Sequence, residues 1–396
     1  MQVQYYGIDA IQFYTSHYYV DLEILAQARG FAPKRYEQTL GQKKMAVLPP
    51  DEDIVTMAAD AGRRLLDNQN SDVLANIDWL MFATESSIDQ SKAAGIFVHQ
   101  LLNLPKTCRV VELKQACYAA TAGLQLALNH IRLNPSKKVL LIASDIAKYG
   151  IGSNAESSQG GGAVAMLLSA NPRILAIEPE YGIHTEDVMD FWRPNYRQEA
   201  LVDGRQSCEM YLKLAPKTWQ EYAQTSGRSY EDHAKFCYHV SVPRLVERAH
   251  EAVRKVNGLP RLTEEALHAE MQAALFYGRE MGNCYTAALY LSICSLLENT
   301  PEDLSNQRIG LYSYGSGCVA EFFSGKIMPG YHAYLNTSAH QAFLASREAL
   351  SIPEYEAFYN FKYPQDGSSV EVPAAQKGKY RLAAVENHKR IYQELS

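Results

Sequence analysis

The chain has 396 residues, 47% hydrophobic and 21% charged, with a net charge of -6 at pH 7. That composition is ordinary for a globular protein, too large for one small core and compatible with two related halves. The acidic balance, with no basic tract interleaved with aromatics, argues against nucleic-acid binding; no apolar run approaches the ~20 residues of a membrane span and the N-terminal segment has no signal-like pattern, so a cytoplasmic protein is expected.

Taken in chain order, the first 170 residues alternate strand-like and helix-like patterns. Residues 79–83 read as a buried strand, 91–102 as a helix, 110–113 as a strand, 119–131 as a helix, and 138–143 and 163–168 as strands. Such alternation predicts an α/β layered fold with helices covering the strands. Segment 180–232 is rich in Tyr, Arg, Gln, Asp and Glu and poor in Ile and Val, a composition suited to lids, contacts between chains and pocket walls rather than core. After it, 235–240 reads as a strand, 244–256 as a helix, 286–297 as a strongly apolar helix, and 310–314 and 319–323 as two strands joined by a Gly-Ser-Gly turn. The element order suggests an internal duplication, divided into halves of 1–170 and 171–396. The last 50 residues look loop-rich and are expected to meander over the surface.

Chemistry gathers where these elements end. Between strand 110–113 and helix 119–131 stands Cys117, at or just before a helix N-terminus, where unpaired N–H groups and the helix dipole favour a thiolate. The same N–H groups suit an oxyanion. A buried structural thiol is the alternative, and this segment alone leaves both open. The other six cysteines (Cys108, Cys208, Cys237, Cys284, Cys294 and Cys318) form no CxxC pair, so neither a disulfide framework nor a zinc site is indicated. HExxH and GxxxxGK(S/T) motifs are absent, and neither a metal nor a bound cofactor is expected.

Glu85 follows strand 79–83, at the edge where open α/β sheets collect ligands. It reads either as a helix-start residue or as an acid/base whose pKa burial lifts. His239 stands at the end of strand 235–240, ahead of a helix announced by Pro243, and reads as satisfied structure or as catalyst. Arg244 and Arg248, four residues apart, form either a solvated face helped by Glu247 and Glu251 or a clamp for a phosphate-bearing ligand. Asn283 precedes an apolar helix, where capping is the default role, and Ser316 lies in a glycine-rich turn whose N–H groups can face a ligand.

These segments match one family in order and spacing. Thr84-Glu85-Ser86, Lys114 to Thr121, Ala143-Ser144-Asp145 with Lys148-Tyr149-Gly150, Gln159 to Ala165, Asp190 to Pro194, the His239 segment, Gly282-Asn283 and Ser313 to Gly317 together resemble the bacterial-type 3-hydroxy-3-methylglutaryl-CoA (HMG-CoA) synthases, members of the thiolase-like condensing-enzyme superfamily. The resemblance runs over essentially the whole chain. It implies two duplicated α/β halves in a five-layer αβαβα core, a homodimer, and condensation of acetyl-CoA with acetoacetyl-CoA, the CoA thioesters being substrates and not cofactors.

By the same resemblance Cys117 carries the acetyl group, Glu85 is the general acid/base, and His239 holds and polarises the acetoacetyl thioester. Asn283 contacts the second substrate, the N–H groups of Cys117 and Ser316 form the oxyanion hole, and Asp145, Tyr149 and Asp190 line or support the acyl pocket. One stretch departs from the bacterial pattern. Relatives usually show His-Val-Pro-Phe followed by lysines, whereas here His239-Val240-Ser241-Val242-Pro243 leads to Arg244, Glu247 and Arg248, which puts the CoA-phosphate contact in question. A second reading is therefore a β-branching enzyme of polyketide biosynthesis acting on an acyl carrier protein. A non-catalytic acyl-CoA-binding protein of the same fold is a third, which the joint presence of Cys117, Glu85 and His239 disfavours.

Overall fold

A computed structural model describes residues 4–395. Its centre is a nine-stranded sheet built from β1 (Tyr6–Tyr14), β2 (Ile77–Ala83), β3 (Arg109–Leu113), β4 (Lys138–Ala147), β5 (Gly160–Ala170), β6 (Leu175–Thr185), β7 (Lys235–Tyr238), β8 (Arg308–Gly315) and β9 (Val319–Ile327). β4 and β5 are almost continuously buried, the pattern of strands covered on both faces.

The spatial order is β3-β2-β4-β5-β1 followed by β6-β9-β8-β7. In the first group β5 runs antiparallel to both neighbours while β3, β2 and β4 are parallel. In the second group β9 is antiparallel to β6 and β8, and β7 is parallel to β8. Removing the outermost strand, β3, from the first group leaves the connectivity of the second, so the topology repeats without a visible sequence repeat. The two groups join through a short pairing of Gly7 with Ala176 and Ile8 with Leu175. A Cβ at Gly7 would lie 2.0 Å from the Leu175 carbonyl oxygen, so only glycine allows this junction.

Helices cover and separate the sheet. α1 (Ile54–Leu66) starts at a capping box between Asp53 and Thr56 and buries one side against β1 and β5, and α2 (Ala94–Leu101) covers β2 and β3. α3 (Ala119–Leu133), α4 (Gly204–Ser226), α5 (Pro243–Val256), α6 (Glu264–Met281) and α7 (Ala288–Asn299) follow. α3 and α7 lie between the halves: Thr121 Oγ1 sits 3.0 Å from the Tyr290 hydroxyl and donates to Ser313 Oγ at 2.7 Å. Every residue from Ala288 to Leu297 is buried, as an interior helix requires.

Two composition-based expectations fail. Segment 180–232 contributes core: α4 buries Tyr211, Leu214, Trp219 and Tyr222. Aromatics fill the space that Ile and Val occupy elsewhere, so low aliphatic content misled. The C-terminal stretch is also more ordered than its composition suggests. Its helix Ile352–Asn360 packs Tyr355 against Val20, Leu22, Leu25 and Met45, and its three-stranded sheet (Val370–Glu371, Tyr380–Glu386, Lys389–Glu394) encloses a small core of Val372, Leu382 and Val385. They are anchored to the body by Asp51, Asp53 and Asp60.

Candidate active site

β2 and β3 are parallel neighbours with Ala83 opposite Leu113, so the residues leaving both strands emerge on one sheet edge. After Leu113 the chain turns through Ala116, whose φ of +43° is in the left-handed region, strain of ~1–3 kcal/mol that characteristically persists where a site fixes its geometry. Cys117 follows directly and α3 begins at Ala119. Glu85 leaves β2 on the same edge, and the Cys117 thiol donates to Glu85 Oε1 at 2.8 Å.

The floor beneath this pair is Asp145. On β4, it accepts hydrogen bonds from Thr84 Oγ1 at 2.7 Å, the Glu85 N–H at 2.9 Å and the Thr286 N–H at 3.1 Å. Asp145 is buried and thus supports the site. It ties β2 to the segment entering α7, so the placement of Glu85 depends on both halves of the chain.

The electrostatics correct one expectation. Burial pushes the Cys117 thiol well above its ordinary value, and the Glu85 carboxylate pushes it further, so the resting sulfur is a thiol and not the thiolate that a helix N-terminus alone would favour. The N–H groups of Tyr118 and Ala119 are turned onto the carbonyls of Gln115 and Ala116 at 3.1 and 3.3 Å, which absorbs part of the helix's positive end. Burial, with the Asp145 charge beside it, raises Glu85 to about 8. The thiol thus faces a carboxyl that holds its own proton up to about 8 and, once ionised, is basic enough to take the thiol's.

Tyr149, Asn283 and their neighbours close one wall. The rings of Tyr149, Phe191 and Tyr285 meet edge to face with centroids 5.8–6.2 Å apart, and the Tyr149 phenol is raised by burial and faces Tyr285, Asn283, Cys117 and Glu85. Gln159 Oε1 accepts the Tyr149 N–H at 2.9 Å. Asn283 is buried, and its Oδ1 takes the Tyr285 N–H at 2.9 Å; it does not cap the apolar helix as expected, since α7 starts after Ala287 with no side-chain cap, and its amide instead faces Tyr149.

His239 lies just past β7. Its N–H donates to the Tyr312 carbonyl at 2.8 Å and its carbonyl accepts from the Tyr211 hydroxyl at 2.7 Å. The ring is buried, Nδ1 has no protein partner, and burial lowers its pKa to about 3, so the imidazole is neutral. Tyr211 connects it to the Ser316 turn: the Tyr211 ring packs on His239 and on Tyr314, and the Tyr314 hydroxyl donates to Asp190 Oδ2 at 3.1 Å. Asp190 Oδ1 takes the Gly317 N–H at 2.9 Å, which fixes the Ser316 turn to the Asp190 segment. A Cβ at Gly315 would lie 2.6 Å from both Gln115 O and Tyr118 N, so glycine is required for this approach.

Arg244 and Arg248, four residues apart on α5, have different surroundings. Arg244 Nη1 bonds Glu247 Oε2 at 2.8 Å, while Arg248 is exposed with no ion pair among the described residues. Glu247 belongs to no solvated face: it is buried and bonded to Arg279 at 2.9 Å and His268 at 3.2 Å. Its charge is matched from α6 and does not oppose a nearby anion in the way its spacing suggested.

Some site residues escaped the reading of the sequence. Arg193 donates to the Glu85 carbonyl and its charge lowers the Glu85 pKa, opposing burial. Tyr285 has φ of +44°, which nothing in its neighbours announces. Thr286 reaches Asp145 from 141 residues away, a pairing no local pattern reveals.

The Hydroxymethylglutaryl-coenzyme A synthase N terminal model matches residues 2–173, and the Hydroxymethylglutaryl-coenzyme A synthase C terminal model matches residues 244–392. The chain belongs to the hydroxymethylglutaryl-CoA synthase family. The hydroxymethylglutaryl-CoA synthase of Enterococcus faecalis is 40% identical over 386 residues, 98% of this chain and 99% of that one. The polyketide biosynthesis 3-hydroxy-3-methylglutaryl-ACP synthase PksG of Bacillus subtilis is 35% identical over 374 residues, covering 89% of this chain and 87% of its own length. A crystal structure of an HMG-CoA synthase complexed with CoA superposes with a TM-score of 0.92 at 37% identity, covering 99% of this chain and all of that one. The fold is thus the thiolase-like fold of the HMG-CoA synthases, and the chain is an acyltransferase of the condensing type. Among the described residues no helix is long and apolar enough to cross a membrane.

Proposed function

We propose that the chain condenses acetyl-CoA with acetoacetyl-CoA and water to give HMG-CoA and free CoA, through an acetyl group carried on Cys117. The observation that carries the mechanism is the 2.8 Å hydrogen bond from the Cys117 thiol to Glu85, a carboxyl raised to about 8.

In its ionised form Glu85 takes the thiol proton as the sulfur attacks the acetyl carbonyl, and passes it to the departing CoA thiolate, leaving acetyl-Cys117 and Glu85 ionised again. The thioester acidifies the methyl group. Glu85 then removes a methyl proton, and the new negative charge on the thioester oxygen is held by the N–H groups of Cys117 and Ser316; removing one such donor typically costs ~3–4 kcal/mol of barrier. The carbanion adds to the ketone of acetoacetyl-CoA, and Glu85 returns its proton to the alkoxide. Water then cleaves the Cys117 thioester, which releases HMG-CoA and restores the thiol. Each proton is handled by Glu85, Cys117, substrate or water, so the scheme calls on neither a metal nor a bound cofactor.

A neutral His239 is suited to donate a hydrogen bond to the acetoacetyl group without competing as a base. Asn283 stands ready to fix the same substrate, and the Tyr149, Phe191 and Tyr285 rings limit the room beside the acyl group. This reaction supplies the mevalonate route to isoprenoid precursors. The family resemblance implies further that the chain works as a homodimer in the cytoplasm, which light scattering of the purified protein and fractionation test.

A second reading has one observation behind it: a 35%-identical relative whose name specifies an acyl-carrier-protein substrate. Offering acetoacetate on CoA and on a carrier protein in competition, with products read by mass spectrometry, separates the two. Fast HMG-CoA formation from the free thioester supports the first reading, and turnover only on the carrier protein establishes the second.

A further inference from the structure

The nucleophile turn and the Ser316 turn come from different halves of the chain, so their mutual register needs a fastener, and a buried carboxylate occupies that place. Glu321 on β9 stands opposite Ser313 on β8, so both side chains leave the sheet on the same face, toward α3. Tyr118, Thr121 and Gln125 follow one another at i, i+3 and i+7, a single stripe along the start of α3. That stripe is polar although it faces protein. The Tyr118 hydroxyl donates to Glu321 Oε2 at 2.6 Å, Gln125 Nε2 donates to Glu321 Oε1 at 2.8 Å, and Thr121 Oγ1 donates to Ser313 Oγ at 2.7 Å. Glu321 is 2% exposed, and both its oxygens are taken by α3.

Position makes this more than packing. Tyr118 is adjacent to Cys117 and caps α3, while β8 and β9 are joined by the turn that holds Ser316. A second contact, from Gln115 Nε2 to the Ser316 carbonyl at 3.3 Å, links the same two turns on the other side of Cys117. An apolar contact would bury this face without setting its register, because hydrophobic burial is non-directional. A carboxylate with two fixed donors sets both the rotation and the height of α3 against the hairpin.

We propose that Glu321 is a positioning residue that holds the Cys117 turn in register with the Ser316 turn, so that the two N–H groups converge on one oxygen. This rests on the oxyanion role given above to Cys117 and Ser316. Glu321 touches no reacting atom; it acts through Tyr118 and Gln125.

The test compares Glu321→Ala, Glu321→Gln, Tyr118→Phe and the double variant with the parent protein, reading the rate of Cys117 acetylation by acetyl-CoA, kcat and KM for acetoacetyl-CoA, and the thermal midpoint. Misplacement of the donors predicts that Glu321→Ala slows acetylation and kcat by on the order of tenfold or more with KM for acetoacetyl-CoA within about twofold. Glu321→Gln keeps an acceptor for Tyr118 and recovers much of that loss. Adding Tyr118→Phe to Glu321→Ala costs little more, since the two act as one unit. Acetylation and kcat within twofold of the parent in folded Glu321→Ala, or independent, multiplying losses in the double variant, overturn the proposal. If Glu321→Ala does not fold, Tyr118→Phe, which is close to isosteric and removes one of the two donors, decides the matter by the same kcat criterion. A parent protein that never acetylates Cys117 would instead remove the underlying reaction scheme, an outcome distinct from a silent Glu321.

Discussion

The thiol of Cys117 and the carboxyl of Glu85 share a hydrogen bond of 2.8 Å, although 32 residues separate them in the chain. Burial and then the Glu85 carboxylate oppose ionisation of the thiol, while burial beside Asp145 keeps the carboxyl protonated to higher pH against the lowering effect of the thiol's hydrogen bond. The site thus rests as a neutral thiol next to a carboxyl that becomes a base only as pH approaches about 8.

Replacing Glu85 with Gln removes the base but also removes the charge that raises the thiol. The two effects oppose one another in acetylation and do not in condensation, where a methyl proton must leave. Acetyl transfer to Cys117 is expected to fall by less than about tenfold, and condensation by on the order of a thousandfold. Rapid-quench mass spectrometry of the acetyl-protein beside steady-state HMG-CoA formation measures both. Near-normal condensation would remove Glu85 from the acid/base role.

The pH dependence has a definite sign. Methyl proton abstraction needs ionised Glu85, which holds its proton up to about 8, so kcat/KM rises with pH and levels off near that value. Stability moves the other way. Between its ordinary 4.5 and about 8 the unfolded chain releases this proton while the folded chain retains it, so rising pH favours unfolding. The Glu85→Gln variant is therefore expected to melt higher than the parent at pH 8, with the difference vanishing near pH 4. A flat rate profile between pH 6 and 9, or equal melting at pH 8, contradicts the shifted carboxyl.

His239→Ala is expected to raise KM for acetoacetyl-CoA by at least about tenfold, the loss of a buried hydrogen-bond donor, with Cys117 acetylation nearly unchanged. Because burial lowers His239 to about 3, the parent shows no rate limb near pH 6.5. Unchanged saturation by acetoacetyl-CoA in the variant would take the second-substrate role away from His239.

The buried ion pair between Glu247 and Arg279 affords a prediction about stability alone. Glu247→Ala leaves Arg279, whose side chain is 9% exposed, without its carboxylate, and stranding a buried charge costs roughly 3–5 kcal/mol. Denaturant unfolding reads the loss directly. A change under about 1 kcal/mol would mean that solvent reaches the guanidinium.

Much of this was legible in the sequence, for a local reason. Strands 79–83, 110–113 and 138–143 and the helix after Cys117 are set by short-range apolar periodicity, and Cys117, Glu85, His239 and Asn283 each stand where such an element begins or ends. What stayed hidden is long-range. The thiol reads as a thiolate until its burial, and Glu85 beside it, are in view, and Glu247 reads as a solvated charge until Arg279 arrives from α6. Asp145 gives no sign in its own segment that it collects donors from Thr84, Glu85 and Thr286. α4 was missed because its core-facing residues are Tyr and Trp, which composition alone assigns to surfaces and lids.

The central claim is that Cys117 carries an acetyl group forward to the second substrate. Incubating the protein with acetyl-CoA, digesting it and mapping the acetyl group by mass spectrometry, before and after a chase with acetoacetyl-CoA, tests it directly. The account predicts acetyl on the Cys117 peptide alone, absent in Cys117→Ser, and discharged by the chase as HMG-CoA appears. Acetyl on another residue, or HMG-CoA formation by Cys117→Ser at an undiminished rate, would contradict it.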